Sequence, residues 1–344
     1  MVRRKKLWLV LILIVGLAIG GAAGYYAHAK VYAPKKTKAA VPAKTASSSS
    51  AVSSQPAKAA VSSPADIEKV RQVMSFLSAN IGPRPGGKAG ERQAASYLAS
   101  ELQKMGYSVG MDQFPLPSGS TSQNLITADP GQSSDYTFFV CAHMDTVSGS
   151  PGANDNASGC AALLELARTI KGTKHYPEVR FLIFGAEEQN SSGTARVGSR
   201  YYLGTQPAKE RAKIIGVVSL DTIALGPEVK FRDWGPKSPA LADALVKYAA
   251  GKGINGARLQ GQGSDHEPFG DAGIPAVWLE RMVGGQPDPN IHTSSDTMDH
   301  ATPNLAAESA DFVRNYLLSL DKAACKAMAT AAHAPAPGSQ SSAQ

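Results

Sequence analysis

The sequence predicts an α/β domain over residues 64–322, with a mixed, mostly parallel central sheet and helices on both of its faces. Three observations carry this reading. Apolar positions at helical spacing alternate along the chain with short strand-like runs. Three of those runs are almost continuously apolar, and each of the three ends in ionisable side chains. Such alternation builds a layered α/β domain, and unbroken apolar runs suit strands buried on both faces.

The elements follow in order. Ser63-Pro64, then Ile67, Val70, Val73, Met74 and Leu77, read as a capped amphipathic helix. Ala94, Leu98, Leu102 and Met105 mark a second helix, closed by Gly106. Residues 107–116 and 124–128 read as early strands. The buried strands are 136–142 (YTFFVCA), 179–184 (VRFLIF) and 214–220 (IIGVVSL), with 275–279 (PAVWL) as a further one. Helices over 157–169, 239–251 and 304–320 are expected to cover the faces.

The ends of the chain differ from this body. Residues 7–24 (LWLVLILIVGLAIGGAAG) follow Arg3-Arg4-Lys5-Lys6, the charge order of a segment inserted with its N-terminus in the cytoplasm. Continued to Ala29, the stretch is about 20 or more residues, enough to span a bilayer. Residues 1–29 thus read as a single-pass anchor in the cell membrane, with the rest of the chain outside. The alternative is a signal peptide cleaved after Ala27-His28-Ala29, which leaves a secreted protein. Residues 30–63, almost entirely Ala, Ser, Lys, Pro, Thr and Val, read as a disordered tether, and the similarly biased 323–344 as a disordered tail.

Charge and cysteine content exclude several functions. The formal charge is +7, but ten of the 35 Lys and Arg lie in residues 1–64, which carry no Asp or Glu. The remainder holds 25 basic against 28 acidic residues, and no aromatics interleave with the basic ones, so no nucleic-acid partner is expected. Cys141, Cys160 and Cys325 show no CxxC spacing, which argues against a disulfide framework and a thiolate metal site. No internal repeat is visible, and a monomer is expected.

In open α/β sheets the ligand crevice lies at the carboxyl ends of the strands, and there the chemistry collects. His143 and Asp145, at i and i+2, share one side of an extended backbone. The carboxylate can support an imidazole that binds a metal. Residues 152–159 (GANDNASG) lead into an apolar helix; on that stretch alone Asp155 or Asn156 reads as a helix cap, and the position in the same crevice shifts the preference toward a functional role. Glu187 and Glu188 follow a strand; adjacent acids are often only solvated, but here one can serve as ligand and the other as general base. Asp221 ends a strand among apolar residues, where a lone carboxylate is costly without a partner such as a cation. His292, in the polar stretch 290–297 (NIHTSSDT), reads alone as a surface residue. The set is rich in N and O donors that suit Zn²⁺.

The ordered series is more specific than any of its parts. H-x-D, D-N-x-S-G, E-E, L-D, S-D-H-x-P-F with G-I-P-A, and H-T-x-x-D-T resembles the co-catalytic di-zinc aminopeptidases of metallopeptidase family twenty-eight across the whole body. The resemblance implies a zinc-exopeptidase-like (phosphorylase/hydrolase-like) domain that removes N-terminal residues from peptides with a free α-amine. It implies that His143 and Asp221 bind one zinc, that Glu188 and His292 bind the other, and that Asp155 bridges them. It also implies Glu187 as general base and Asp145 as support for the histidine. Family members often place an oxyanion-stabilising Tyr before the last His; here that residue is Ile291, and His266 is the candidate substitute.

Other readings fit the residues less well. Glutaminyl cyclase has similar motifs but needs an aromatic-lined pocket, and of the body's Trp234 and Trp278 the latter is inside a strand. A carboxypeptidase or aminoacylase needs more than the roughly 70 residues between Asp221 and His292 for its inserted domain. A catalytically silent ectodomain would show gaps among the ligands, and a metal-free hydrolase a G-x-S-x-G elbow.

Overall fold

The computed structural model describes residues 64–189 and 193–333. The expected anchor, the tether and the end of the tail therefore lie outside the described residues. In chain order the elements are α1 (Ile67–Ser75), α2 (Ala89–Lys104), β1 (Gly110–Pro115), β2 (Thr121–Asp129), β3 (Ser133–His143), α3 (Gly159–Ile170) and β4 (Pro177–Phe184). They continue with α4 (Val197–Thr205), α5 (Ala208–Arg211), β5 (Ile214–Leu220), β6 (Glu228–Asp233), α6 (Ser238–Ala250), β7 (Gly256–Gln260), α7 (His266–Asp271), β8 (Ala276–Met282), α8 (Pro303–Ser319) and α9 (Lys322–His333). Among these no helix is long and apolar enough to cross a membrane.

The eight strands form one mixed sheet in the order β1-β2-β4-β3-β5-β8-β6-β7. β4, β3, β5 and β8 run parallel, whereas β1, β2 and the β6–β8 contact are antiparallel. The pleat of β3 explains the layers. Phe138, Val140 and Ala142 face the larger core with α1, α2, α3 and α8, whereas Phe139 and Cys141 face the smaller one with Tyr202 of α4 and Phe269 of α7. This is the expected α/β class.

Several local expectations are corrected. The first helix is capped by Asp66, whose carboxylate accepts the N–H of Glu68 at 3.0 Å and of Lys69 at 3.3 Å, not by Ser63-Pro64. β6 and β7 were not anticipated: β6 alternates Val229 and Phe231 inward with charged residues between, over only six positions. The expected disordered tail from 323 is instead helical to His333. Its alanine content favours a helix, Cys325 and Ala332 are buried, and His333 Nε2 lies 2.8 Å from the Ala212 carbonyl.

Candidate metal centre

The sheet brings the sequence-predicted ligands together. His143 is the last residue of β3, an inner strand of the parallel group; Asp221 directly follows its neighbour β5, and Glu187 and Glu188 follow β4. The loop before α3 brings Asp155, and the β8–α8 connection brings His292. His143 Nε2 stands 3.2 Å from Asp155 Oδ1 and 3.5 Å from Asp221 Oδ2. His292 Nε2 stands 3.1 Å from Asp155 Oδ2 and 3.2 Å from Glu188 Oε2. Each histidine thus anchors one donor cluster, and Asp155 gives one oxygen to each.

The surroundings explain this placement. Asn156 Oδ1 accepts the Gly159 N–H at 2.8 Å and so takes the capping role, which leaves the Asp155 carboxylate free for the crevice. The main chain of the same loop is held by Asp296, whose carboxylate accepts the N–H groups of Asn154 at 2.7 Å and Asp155 at 3.0 Å. Arg84, fully buried, donates to the carbonyls of Met144, Pro151 and Gly152 at 2.7–3.0 Å. It thereby ties the end of β3 to the Asp155 loop. Asp296 was legible only as part of a motif, and Arg84 carried no signal.

Asp145 does more than support His143. Its carboxylate accepts the N–H of Glu187 at 3.0 Å and of Glu188 at 3.1 Å. His143 Nδ1 lies 3.2 Å from the Asp145 main-chain oxygen, nearer than the 3.6 Å to Oδ1. Asp145 therefore fixes the two glutamates with its side chain and the imidazole chiefly with its backbone.

The electrostatics call for cations. Burial holds the Glu187 carboxyl well above the usual carboxylate range, with His143 pulling it back. Burial and the Asp155 charge raise Glu188 to about 7. Asp155 goes the other way: burial disfavours its charge, but hydrogen bonds with His143 and His292 hold it below the ordinary range. Those same bonds with Asp155 and Glu188 raise His292 to about 11. Glu187 Oε1, Glu188 Oε1 and Asp221 Oδ1 are buried without a hydrogen-bond partner. Buried polar atoms are normally satisfied, and clustered carboxylates with unused oxygens beside histidine nitrogens fit divalent zinc. These residues also line a cavity of about 530 Å³.

Backbone strain collects here too. Among the described residues, the non-glycine ones with left-handed φ are Ala186 (51°), Arg196 (55°), Thr222 (52°) and His292 (62°). The last three line the cavity and Ala186 precedes Glu187. Such conformations cost of the order of 1–3 kcal/mol each, persist only where the surrounding structure fixes them, and cluster at functional sites.

Two sequence-based assignments change. His266 is fully buried, does not line the cavity, and lies 2.9 Å through Nε2 from the Gly261 carbonyl, so its role is structural and not oxyanion stabilisation. Trp278, although in a strand, does line the cavity, its Nε1 donating to the Asp221 carbonyl at 2.9 Å. Ile291 lines it as well.

An α/β sheet with carboxylate–histidine clusters at its strand ends defines a class of proteins built to hold metal ions. The Peptidase family M28 model matches residues 124–317, and the chain belongs to that family. Leupeptin-inactivating enzyme 1 of Streptomyces exfoliatus is 33% identical over 239 residues, which are 67% of this chain and 53% of that protein. The chain spans about half the length of the curated relatives it matches. Among solved structures, a zinc aminopeptidase from Bacillus subtilis (BSAP) superposes with a TM-score of 0.68 at 20% identity, covering 73% of this chain and 94% of that one. A glutaminyl cyclase from Porphyromonas gingivalis gives 0.63 at 23% identity, covering 74% and 98%. At these identities the structures share the fold.

Proposed function

We propose that the chain is a two-zinc aminopeptidase that removes N-terminal residues from peptides with a free α-amine. The observation that carries this reading is the pair of donor clusters meeting at Asp155, with Glu187 beside them as a spare carboxylate. His143 and Asp221 would hold one zinc, Glu188 and His292 the other, and Asp155 both. Bound zinc supplies Lewis acidity, which polarises a carbonyl and makes a water more acidic.

The rest falls to side chains. Glu187, presented by the Asp145 carboxylate, takes the proton of the attacking water and returns it to the leaving amine. The surrounding carboxylates favour the substrate's α-ammonium over a blocked amine. Residues 1–63 would tether the domain outside the cell membrane or direct its secretion.

Trp278 in the cavity favours one second reading, cyclisation of an N-terminal Gln. The products separate the two: hydrolysis adds water across a peptide bond, whereas cyclisation releases ammonia and leaves the chain length unchanged. The test of the main reading is a panel of aminoacyl p-nitroanilides with free and acetylated α-amines. Turnover of only the free-amine compounds, lost with chelator and restored by zinc, supports an aminopeptidase. Equal turnover of acetylated compounds contradicts it.

A further inference from the structure

We infer that Arg196 recognises the α-carboxylate of the leaving residue, so that the preferred substrates are dipeptides whose second residue has a free carboxylate. This rests on the aminopeptidase reading and gives it a substrate class.

Arg196 lines the cavity directly beside the proposed base. Its Nη1 lies 3.7 Å from Glu187 Oε1, an ion-pair distance too long for a hydrogen bond. Both partners keep unused capacity: Glu187 Oε1 and Arg196 Nε are buried without hydrogen-bond partners. The separation is held in place. The Arg196 N–H donates to the Glu187 carbonyl at 2.6 Å, and the Val197 N–H to that of Ala186 at 2.9 Å. The guanidinium is tied at its far side, Nη2 lying 3.0 Å from Glu267 Oε2. Glu267, buried, also holds Arg200 at 2.6 Å. It occupies the variable position of the S-D-H-x-P-F motif.

The base fixes which part of the substrate meets this arginine. Glu187 must return its proton to the leaving nitrogen, so a group beside Glu187 borders the residue that carries that nitrogen. In a free α-amino acid the nitrogen and a carboxylate oxygen are about 3 Å apart, as standard bond lengths require. In the released amino acid, ammonium against Glu187 and carboxylate against Arg196 therefore close a ring of four charges in which every neighbour has opposite sign; in the peptide, whose nitrogen is a neutral amide, the carboxylate on Arg196 is the charged contact that sets KM. A longer peptide or a C-terminal amide leaves the Arg196 corner without its anion. The chemistry is ordinary hydrolysis: the C–N bond breaks, water oxygen bonds the carbonyl carbon, and the water's proton goes to the departing amine.

The experiment compares KM and kcat of the zinc-loaded full chain for Leu-Gly, Leu-Gly-amide and Leu-Gly-Gly. A charge-assisted hydrogen bond of this kind predicts a KM about tenfold to a hundredfold lower for Leu-Gly than for its amide. Arg196→Met should bring the KM ratio to about one, and Arg196→Lys should retain part of it. Calorimetric binding of free glycine against glycinamide gives a readout independent of turnover, with the same loss in Arg196→Met. A wild-type ratio near one, or a ratio that survives Arg196→Met, overturns the inference. Failure to hydrolyse all three substrates would instead count against the aminopeptidase reading.

Discussion

At the residue scale, two carboxylates of the site make opposite predictions. Glu187→Gln keeps both donor clusters intact, so bound zinc should be unchanged while kcat falls at least about a hundredfold, as for loss of a general base. Metal analysis of that variant beside its kinetics checks both halves. Asp155→Ala removes an oxygen from each cluster and should lose metal as well as activity. His266 predicts a pH effect on stability. Burial pushes its imidazole from 6.5 down to about 4, so the folded state binds fewer protons between those values. The associated stability is complete above pH 6.5 and is lost as pH falls toward 4, about 3 kcal/mol in all. Denaturant melts across that range should show a shallower acid loss in His266→Gln than in the wild type; an equal slope would refute the assignment. The candidate ligands were legible in the sequence because apolar runs stop abruptly at ionisable residues. Arg84 was not, since arginine is ordinarily solvated and only the fold gathers the carbonyls that its guanidinium satisfies.

At the element scale, the sheet was read best where burial is two-sided. β3, β4 and β5 were found to within a few residues because both faces must be apolar. β6 and β7 escaped because short strands with charged alternate positions resemble loops. α9 escaped for another reason: an Ala-rich stretch has low-complexity composition and high helix propensity at once, and only its contact with the domain decides. Ending the chain after Asp321 would remove the burial of Cys325 and the bonds from Lys237 to Ala332 and from His333 to Ala212. A loss of roughly 2–4 kcal/mol is expected, lowering Tm by about 5–10 °C in a circular dichroism melt. An unchanged Tm would show that α9 adds nothing to the domain.

At the scale of the whole molecule, the fold and the centre depend on each other. The sheet order places β4, β3 and β5 side by side, so candidate ligands almost 80 residues apart, from His143 to Asp221, meet at their carboxyl ends, and the β8–α8 connection adds His292. The clustered buried carboxylates that result are costly alone, and cations that bind only the folded chain stabilise it by mass action. The most direct test is to strip the full chain with chelator and titrate zinc back, following bound metal and hydrolysis of a free-amine substrate together. Hydrolysis is expected to reach its plateau as the second zinc per chain binds. A plateau at one zinc, or two bound zincs without hydrolysis, would contradict it.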